Sequence, residues 1–221
     1  MSTATVNAVK VWDWPTRIFH WTLVGLFAFS WWSAKADHMD WHRISGLSVL
    51  GLLAFRLQWG VFGSSTARFA GFVSGPRRIT AYLRGQVEPH AGHNPIGGWS
   101  VVAMLTLLFV QVGTGLFATD VDGIESGPLS YLVSFDQGRT ASAIHHLCFT
   151  LLEVMICLHI AAIAFYLILR RRNLVAPMIT GRDRALANAV TPLKPGKSWA
   201  LMVALAVTGL LVWWVVRGAP L

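Results

Sequence analysis

Residues 141–169 read ASAIHHLCFTLLEVMICLHIAAIAFYLIL. Glu153 is the one acid in this stretch, and there is no Lys or Arg. Crossing the hydrocarbon core of a bilayer takes about 20 mostly apolar residues in a helix, so the segment is long enough to span. His145 and His159 stand 14 positions apart within it. Fourteen steps come to about 1400°, about 40° short of whole turns, so the two imidazoles share a face. The same steps rise about 21 Å, which sets one near each membrane surface. His146 points about 140° away from His159 and is the poorer partner.

Four more stretches have this character: about Ile18–Ala34, Trp41–Phe62 with Arg56 inside it, Gly97–Ala118 with no charge, and Ser198–Val216 with no His. The composition agrees. Of 221 residues, 54% are hydrophobic and 13% charged, against about 25% charged in soluble domains. A soluble enzyme is excluded on that ground. The net charge of +8 has an explanation other than nucleic acid, because the basic residues sit in alternate loops. Arg68, Arg77, Arg78 and Arg84 follow the second stretch; Arg170, Arg171, Arg172, Arg182, Arg184, Lys194 and Lys197 follow the fourth. The other loops carry Asp37, Asp40, Asp120, Asp122, Glu125 and Asp136 with few cations. The positive-inside rule then sets the N-terminus in the cytoplasm and the C-terminus outside across five spans. The polar start lacks the small-residue cleavage pattern of a signal peptide. Trp12, Trp14, Trp31, Trp32, Trp41, Trp213 and Trp214 read as an interfacial belt.

Outside the spans, Ser74-Gly75-Pro76 opens a capped short helix through Arg84, with Ile79, Tyr82 and Leu83 toward the inner membrane face. Residues 173–197 read as a polar connector setting the last helix apart. Asp120 to Glu125 is too short for a calcium loop and reads as an acidic outer surface that steers a basic partner. Cys148 and Cys157 lie on opposite faces of one helix and read as small apolar fillers.

Ionisable groups inside a membrane are costly and mark function by default. His38, His90 and His93 fall in loops. His20 opens the first helix on the cytoplasmic side, nearer the level of His159, and His42 opens the second on the outer side, level with His145. The four make two pairs at two depths. A metal-transport site would gather its ligands at one depth. Facing imidazoles suit the axial positions of a haem iron and leave no open coordination site, which favours electron transfer. Glycines let a macrocycle approach a helix backbone: Gly46 and Gly25 follow His42 and His20, and Gly97, Gly98, Gly113 and Gly115 flank the third span. The other reading of these glycines is helix–helix packing, and of the histidines polar glue between helices.

Arg17-Ile-Phe-His20-Trp21, His42 with Gly46, Gly92-His93-Asn94-Pro95, Thr114-Gly115, and His145 with His159 together resemble the bacterial cytochrome b561 and nickel–iron hydrogenase b-type cytochrome family over about residues 10–182. The resemblance implies an all-α membrane protein: a four-helix transmembrane bundle holding two bis-histidine b haems (residues 1–182), followed by a connector and a fifth transmembrane helix (183–221). It implies His20–His159 as ligands on the cytoplasmic side and His42–His145 on the periplasmic side, in the bacterial inner membrane. It also implies electron exchange between quinone and a periplasmic redox protein such as a cytochrome c, hydrogenase or dehydrogenase. A homodimer is compatible with it. Arg56, on the face of His42, either pairs with a haem propionate or snorkels to the inner headgroups. Glu153 is either protonated or bonded to a neighbour, as a proton relay or a packing acid. Quinone is expected on the inner side near Arg56, His93 and Arg17. Two other function classes stand beside this one: a lone superoxide:quinone oxidoreductase, and a haem-free transporter or scaffold.

Overall fold

The computed structural model describes residues 8–86, 91–186 and 192–218; His90 and Glu88 lie outside them. The described chain is helical apart from one two-residue strand pair. In order, the elements are β1 (Val9–Lys10), α1 (Trp14–Lys35), α2 (Met39–Phe62), α3 (Phe69–Phe72), α4 (Pro76–Leu83), α5 (Pro95–Phe117), α6 (Phe135–Ile168), α7 (Val175–Thr180), β2 (Arg182–Asp183) and α8 (Ser198–Val216), with a 3₁₀ turn at Ser130–Leu132. Four of these, α2, α5, α6 and α8, are long and apolar enough to cross a membrane. At 22 residues, α1 matches them in length. Pro15, Thr16, Arg17, His20, Ser30, Ser33 and Lys35 make it less apolar.

Side chains that cap backbone N–H groups explain where the helices begin. The Asp13 carboxylate accepts the Thr16 N–H at 2.9 Å, starting α1 with Pro15 in its first turn. The Asn94 side-chain oxygen accepts the Gly97 N–H at 2.7 Å, so α5 begins at Pro95. The Ser134 hydroxyl accepts the Gln137 N–H at 3.3 Å while the Gln137 side chain accepts the Ser134 N–H at 2.9 Å. That reciprocal box starts α6 at Phe135, six residues before the sequence reading put it. Pro76 opens α4 as expected, but the capping position is Gly75, which has no side chain to cap with. Ser74 donates instead to the Phe72 carbonyl at 3.4 Å. Leu83 is exposed, and Ile79 and Tyr82 are half-buried.

The connector holds more structure than its polarity suggests. Beyond α7, β2 pairs antiparallel with β1, Val9 opposite Asp183 and Lys10 opposite Arg182. Between them Gly181 adopts φ +80° at the end of α7, a left-handed cap that glycine takes without strain. Its carbonyl accepts N–H bonds from Val11 at 2.9 Å and Trp12 at 3.2 Å.

The chain falls into two compact units. One draws on the described residues of Met1–Ile18, Gln58–Val102 and Cys157–Leu201; the other comprises Phe19–Leu57, Ala103–Ile156 and the described part of Met202–Leu221. In the first, Val9, Val11, Trp12 and Leu186 form a small core with Ala91 and Met178. Trp12, 7% exposed, therefore belongs to this core and not to an interfacial belt, whereas Trp14, Trp31, Trp32, Trp41, Trp213 and Trp214 are all exposed. The buried Trp59 indole donates to the Asp13 carboxylate at 2.8 Å. In the second unit Leu129 and Val215 pack with Leu47, Leu50, Leu116, Phe117 and Leu211. Here Ser33, Ser45 and Arg56 are buried while Ile44, Leu147 and Leu210 are exposed. Polar groups inside and large apolar groups outside are what a lipid solvent demands.

Candidate functional site

The second unit brings His42 and His145 together. Their ring centres are 6.1 Å apart with the planes 79° from parallel. Each ring is tied by the same atom. His42 Nδ1 donates to the Ser30 carbonyl at 2.9 Å, and His145 Nδ1 donates to the Gln111 carbonyl at 2.8 Å. A carbonyl accepts only from an N–H, so the proton of each neutral ring sits on Nδ1 and the lone pair on Nε2. That is how ligating histidines are oriented.

Two metal–imidazole bonds of about 2 Å, each with about 1 Å more to its ring centre, put axial rings about 6 Å apart. The observed 6.1 Å and the two oriented tautomers match that spacing, and the Gln111 amide nitrogen lies 2.9 Å from His145 Nε2, where the iron would bond. Serines fix the His42 side. Ser45 Oγ lies 2.9 Å from the His42 carbonyl, to which its one O–H can donate, and 2.8 Å from Ser30 Oγ, and Ser33 Oγ donates to the Ser30 carbonyl at 3.0 Å.

The glycines divide into two classes. A methyl group added at Gly25, Gly46 or Gly113 would meet nothing within 4 Å, so close helix packing does not require glycine there. At Gly115 it would come 3.0 Å from His145 Cε1. Of these four, Gly115 is the one whose surroundings include a ring of the pair, and Gly25 is exposed. Gly97 and Gly98 do not share that role: an added methyl would lie 3.2 Å from the Asn94 side-chain oxygen at one and 2.5 Å from the Phe72 carbonyl at the other. They serve the α5 cap and local packing.

His20 falls in the second unit and His159 in the first. His20 is half-buried, its ring 4.9 Å from that of Trp21; His159 is half-buried on α6, which runs unbroken through His145 as well. Arg56 is 3% exposed, its guanidinium 5.9 Å from the centre of the Phe19 ring. In the first unit His93 lies between Trp12 and Phe72, 4.8 Å from each ring, and Arg17 donates to the Ile179 carbonyl at 2.5 Å. Next to them, Asn94 donates to the Tyr166 hydroxyl at 3.0 Å, and the Tyr82 and Tyr166 hydroxyls are 2.5 Å apart. Burial and that bond push the Tyr82 phenol up to about 12.

Other expectations change. Cys148 is a buried filler whose thiol donates to the Leu107 carbonyl at 3.1 Å, but Cys157 is exposed and fills nothing. Glu153 and His146 are both exposed on α6, so the acid does not point into the unit. On the acidic surface, Glu125 is paired with Arg43 at 2.6 Å, and Arg43 also holds Asp40 at 2.6 Å.

Gln111, Ser30 and Ser45 were missed in the sequence. The signal for Gln111 was available: it is the only carboxamide in α5, and a polar side chain at that depth asks for a partner. Single serines in helices give no such signal.

Residues 11–181 match the family model described as prokaryotic cytochrome b561. Neither a search of curated proteins nor a search of solved structures returned a match. With that match over well more than half of the chain, on an all-helical fold whose long helices suit a membrane, the protein belongs to the prokaryotic cytochrome b561 family, the b-type cytochromes that carry electrons across membranes.

Proposed function

We propose that the chain is a dihaem cytochrome b of the bacterial inner membrane that passes electrons between a periplasmic redox protein and the quinone pool. The observation that carries this reading is the His42–His145 pair, 6.1 Å between ring centres with both Nδ1 atoms on main-chain carbonyls. A b haem bound by two imidazoles supplies a one-electron centre with no open coordination position.

His42 and His145 would hold the periplasmic haem. On the sequence pattern, His20 and His159 would hold the cytoplasmic one. The Ser30 and Gln111 carbonyls keep the first pair in the ligating tautomer. Arg56 is buried and so does not snorkel to headgroups, which supports its pairing with a propionate. Quinone is assigned to the cytoplasmic side, where the sequence reading puts Arg17, Arg56 and His93. The exposed Asp122 and Asp136 give the outer face charge to steer a basic donor such as a cytochrome c; a hydrogenase or dehydrogenase partner would dock on the same side. The family match ends at 181, in keeping with a domain over 1–182 and an added segment over 183–221.

Pyridine haemochrome quantitation on protein expressed with ample haem tests the reading. Two b haems per chain are expected, falling to one in His145→Ala and to one in His159→Ala. A colourless wild-type polypeptide refutes it, and one haem per wild-type chain refutes the two-pair assignment.

A further inference from the structure

We propose that one edge of α6 is the contact by which two copies of this chain pair in the membrane, with their Glu153 carboxyls bonded to each other. Glu153 stands near the middle of α6, a helix long and apolar enough to cross a bilayer, and its side chain is exposed. Among the described residues, no hydrogen bond or ion pair engages it. Hydrocarbon offers it no partner either, and an unpaired acid at that depth is costly.

This edge differs from the rest of the outer face of α6. His146, Thr150, Glu153 and Cys157 are all exposed and follow one another by 4, 3 and 4 positions, which keeps them within about 60° around the helix. Leu147, Leu151, Val154 and Leu158 repeat that spacing one position on, along an edge turned by about 100°, and are exposed and wholly apolar. Lipid suits the leucine edge and not the other. Thr150 satisfies its own hydroxyl by donating to the His146 carbonyl at 3.3 Å, so Glu153 is the group that still needs a partner. A second copy supplies one. All copies insert with the same orientation, so a two-fold axis along the membrane normal brings equal depths face to face. A carboxyl kept neutral by hydrocarbon has one O–H donor and one carbonyl acceptor. Two of them at one depth donate to each other, and both are satisfied.

The native thiols report on the contact, because Cys157 lies on this edge and Cys148 is buried. Copper–phenanthroline oxidation of membranes holding the holoprotein should link two chains. The link should survive Cys148→Ser, vanish in Cys157→Ser, and not return when Leu147→Cys is added to the chain lacking both native cysteines. Resonance energy transfer between fluorescently tagged copies in liposomes should show pairs that dissociate about threefold to tenfold more readily in Glu153→Leu. Glu153→Gln, whose amide also donates and accepts, should stay near wild type. Pyridine haemochrome should find the wild-type haem content in both variants. No link through Cys157, or an equal link through Leu147→Cys, would overturn the contact. Unchanged pairing in Glu153→Leu would overturn the part given to the acid, and so would loss of haem together with pairing, which would put its role inside the fold. Cross-linking of Cys157 to a different polypeptide in place of a second copy would show a partner subunit on this edge and overturn the self-pairing.

Discussion

At the scale of single residues, the clearest constraint on the site is Gly115. A methyl there would sit 3.0 Å from His145 Cε1 and 3.2 Å from Nδ1, and the ring cannot slide freely because Gln111 holds it at 2.8 Å. Ligand sets tolerate misplacement of about 0.5 Å. Gly115→Ala asks for a few tenths of an ångström and should keep the haem. Gly115→Val asks for more and should cut haem content toward one per chain, read by pyridine haemochrome, while the protein still inserts and purifies. Full haem content in the valine variant would show that His145 has room to move. The sequence marked Gly115 beside Thr114 but not its reason, because the contact comes from a residue 30 positions away. His42 and His145 themselves were legible, since an ionisable side chain in a span stands out. The serine hydroxyls behind them were not, because serine is common wherever helices pack.

Among the elements, spans were legible and their beginnings less so. The apolar runs gave α2 and α8 to within two residues at each end. The start of α6 was missed although Ser134 and Gln137 have capping-box spacing, since Asp136 and Arg139 made the stretch look like loop. The β1–β2 pair was not legible at all: two strands of two residues each, about 170 positions apart, leave no periodicity to read. Asp13 ties these levels together by capping α1 with one oxygen and accepting the Trp59 indole with the other. Asp13→Ala removes a helix cap and leaves a buried indole N–H unbonded, a combined loss of about 2 to 3 kcal/mol. The expected outcome is a clearly lower melting temperature in detergent, followed by tryptophan fluorescence. Asp13→Asn, whose single oxygen can cap α1 while its NH2 faces the Trp59 indole N–H, should recover only part of the loss. An alanine variant that melts with the wild type would mean that α1 is held by other contacts.

For the whole molecule, the number of spans decides on which side the chain ends. Four helices are apolar enough to cross by composition alone; an even number would return the C-terminus to the side of the N-terminus. The basic residues argue for five, because Arg68 to Arg84 and Arg170 to Lys197 share one side through α5 and α6, and the N-terminal Lys10 and Arg17 join them there only if α1 also crosses. Its length permits this: 22 residues rise about 33 Å, against a hydrocarbon core of about 30 Å. Its polar residues are also placed for it. Arg17 and Lys35 lie near opposite ends, where Lys35 can snorkel and Arg17 donates to the Ile179 carbonyl, and Ser33 is buried. Ile18, Trp21, Val24 and Phe29 lie exposed along its length. Alkaline phosphatase, which folds only where its disulfides form, should therefore be active when fused after Leu221 and inactive when fused after Arg84. A fluorescent protein that matures in the cytoplasm should give the reverse pattern. Phosphatase activity after Arg84 and none after Leu221 would leave α1 on the cytoplasmic surface and the chain with four crossings. His20 would then lie outside the bilayer, and the cytoplasmic ligand pair would fail with it, whatever the haem count at His42 and His145.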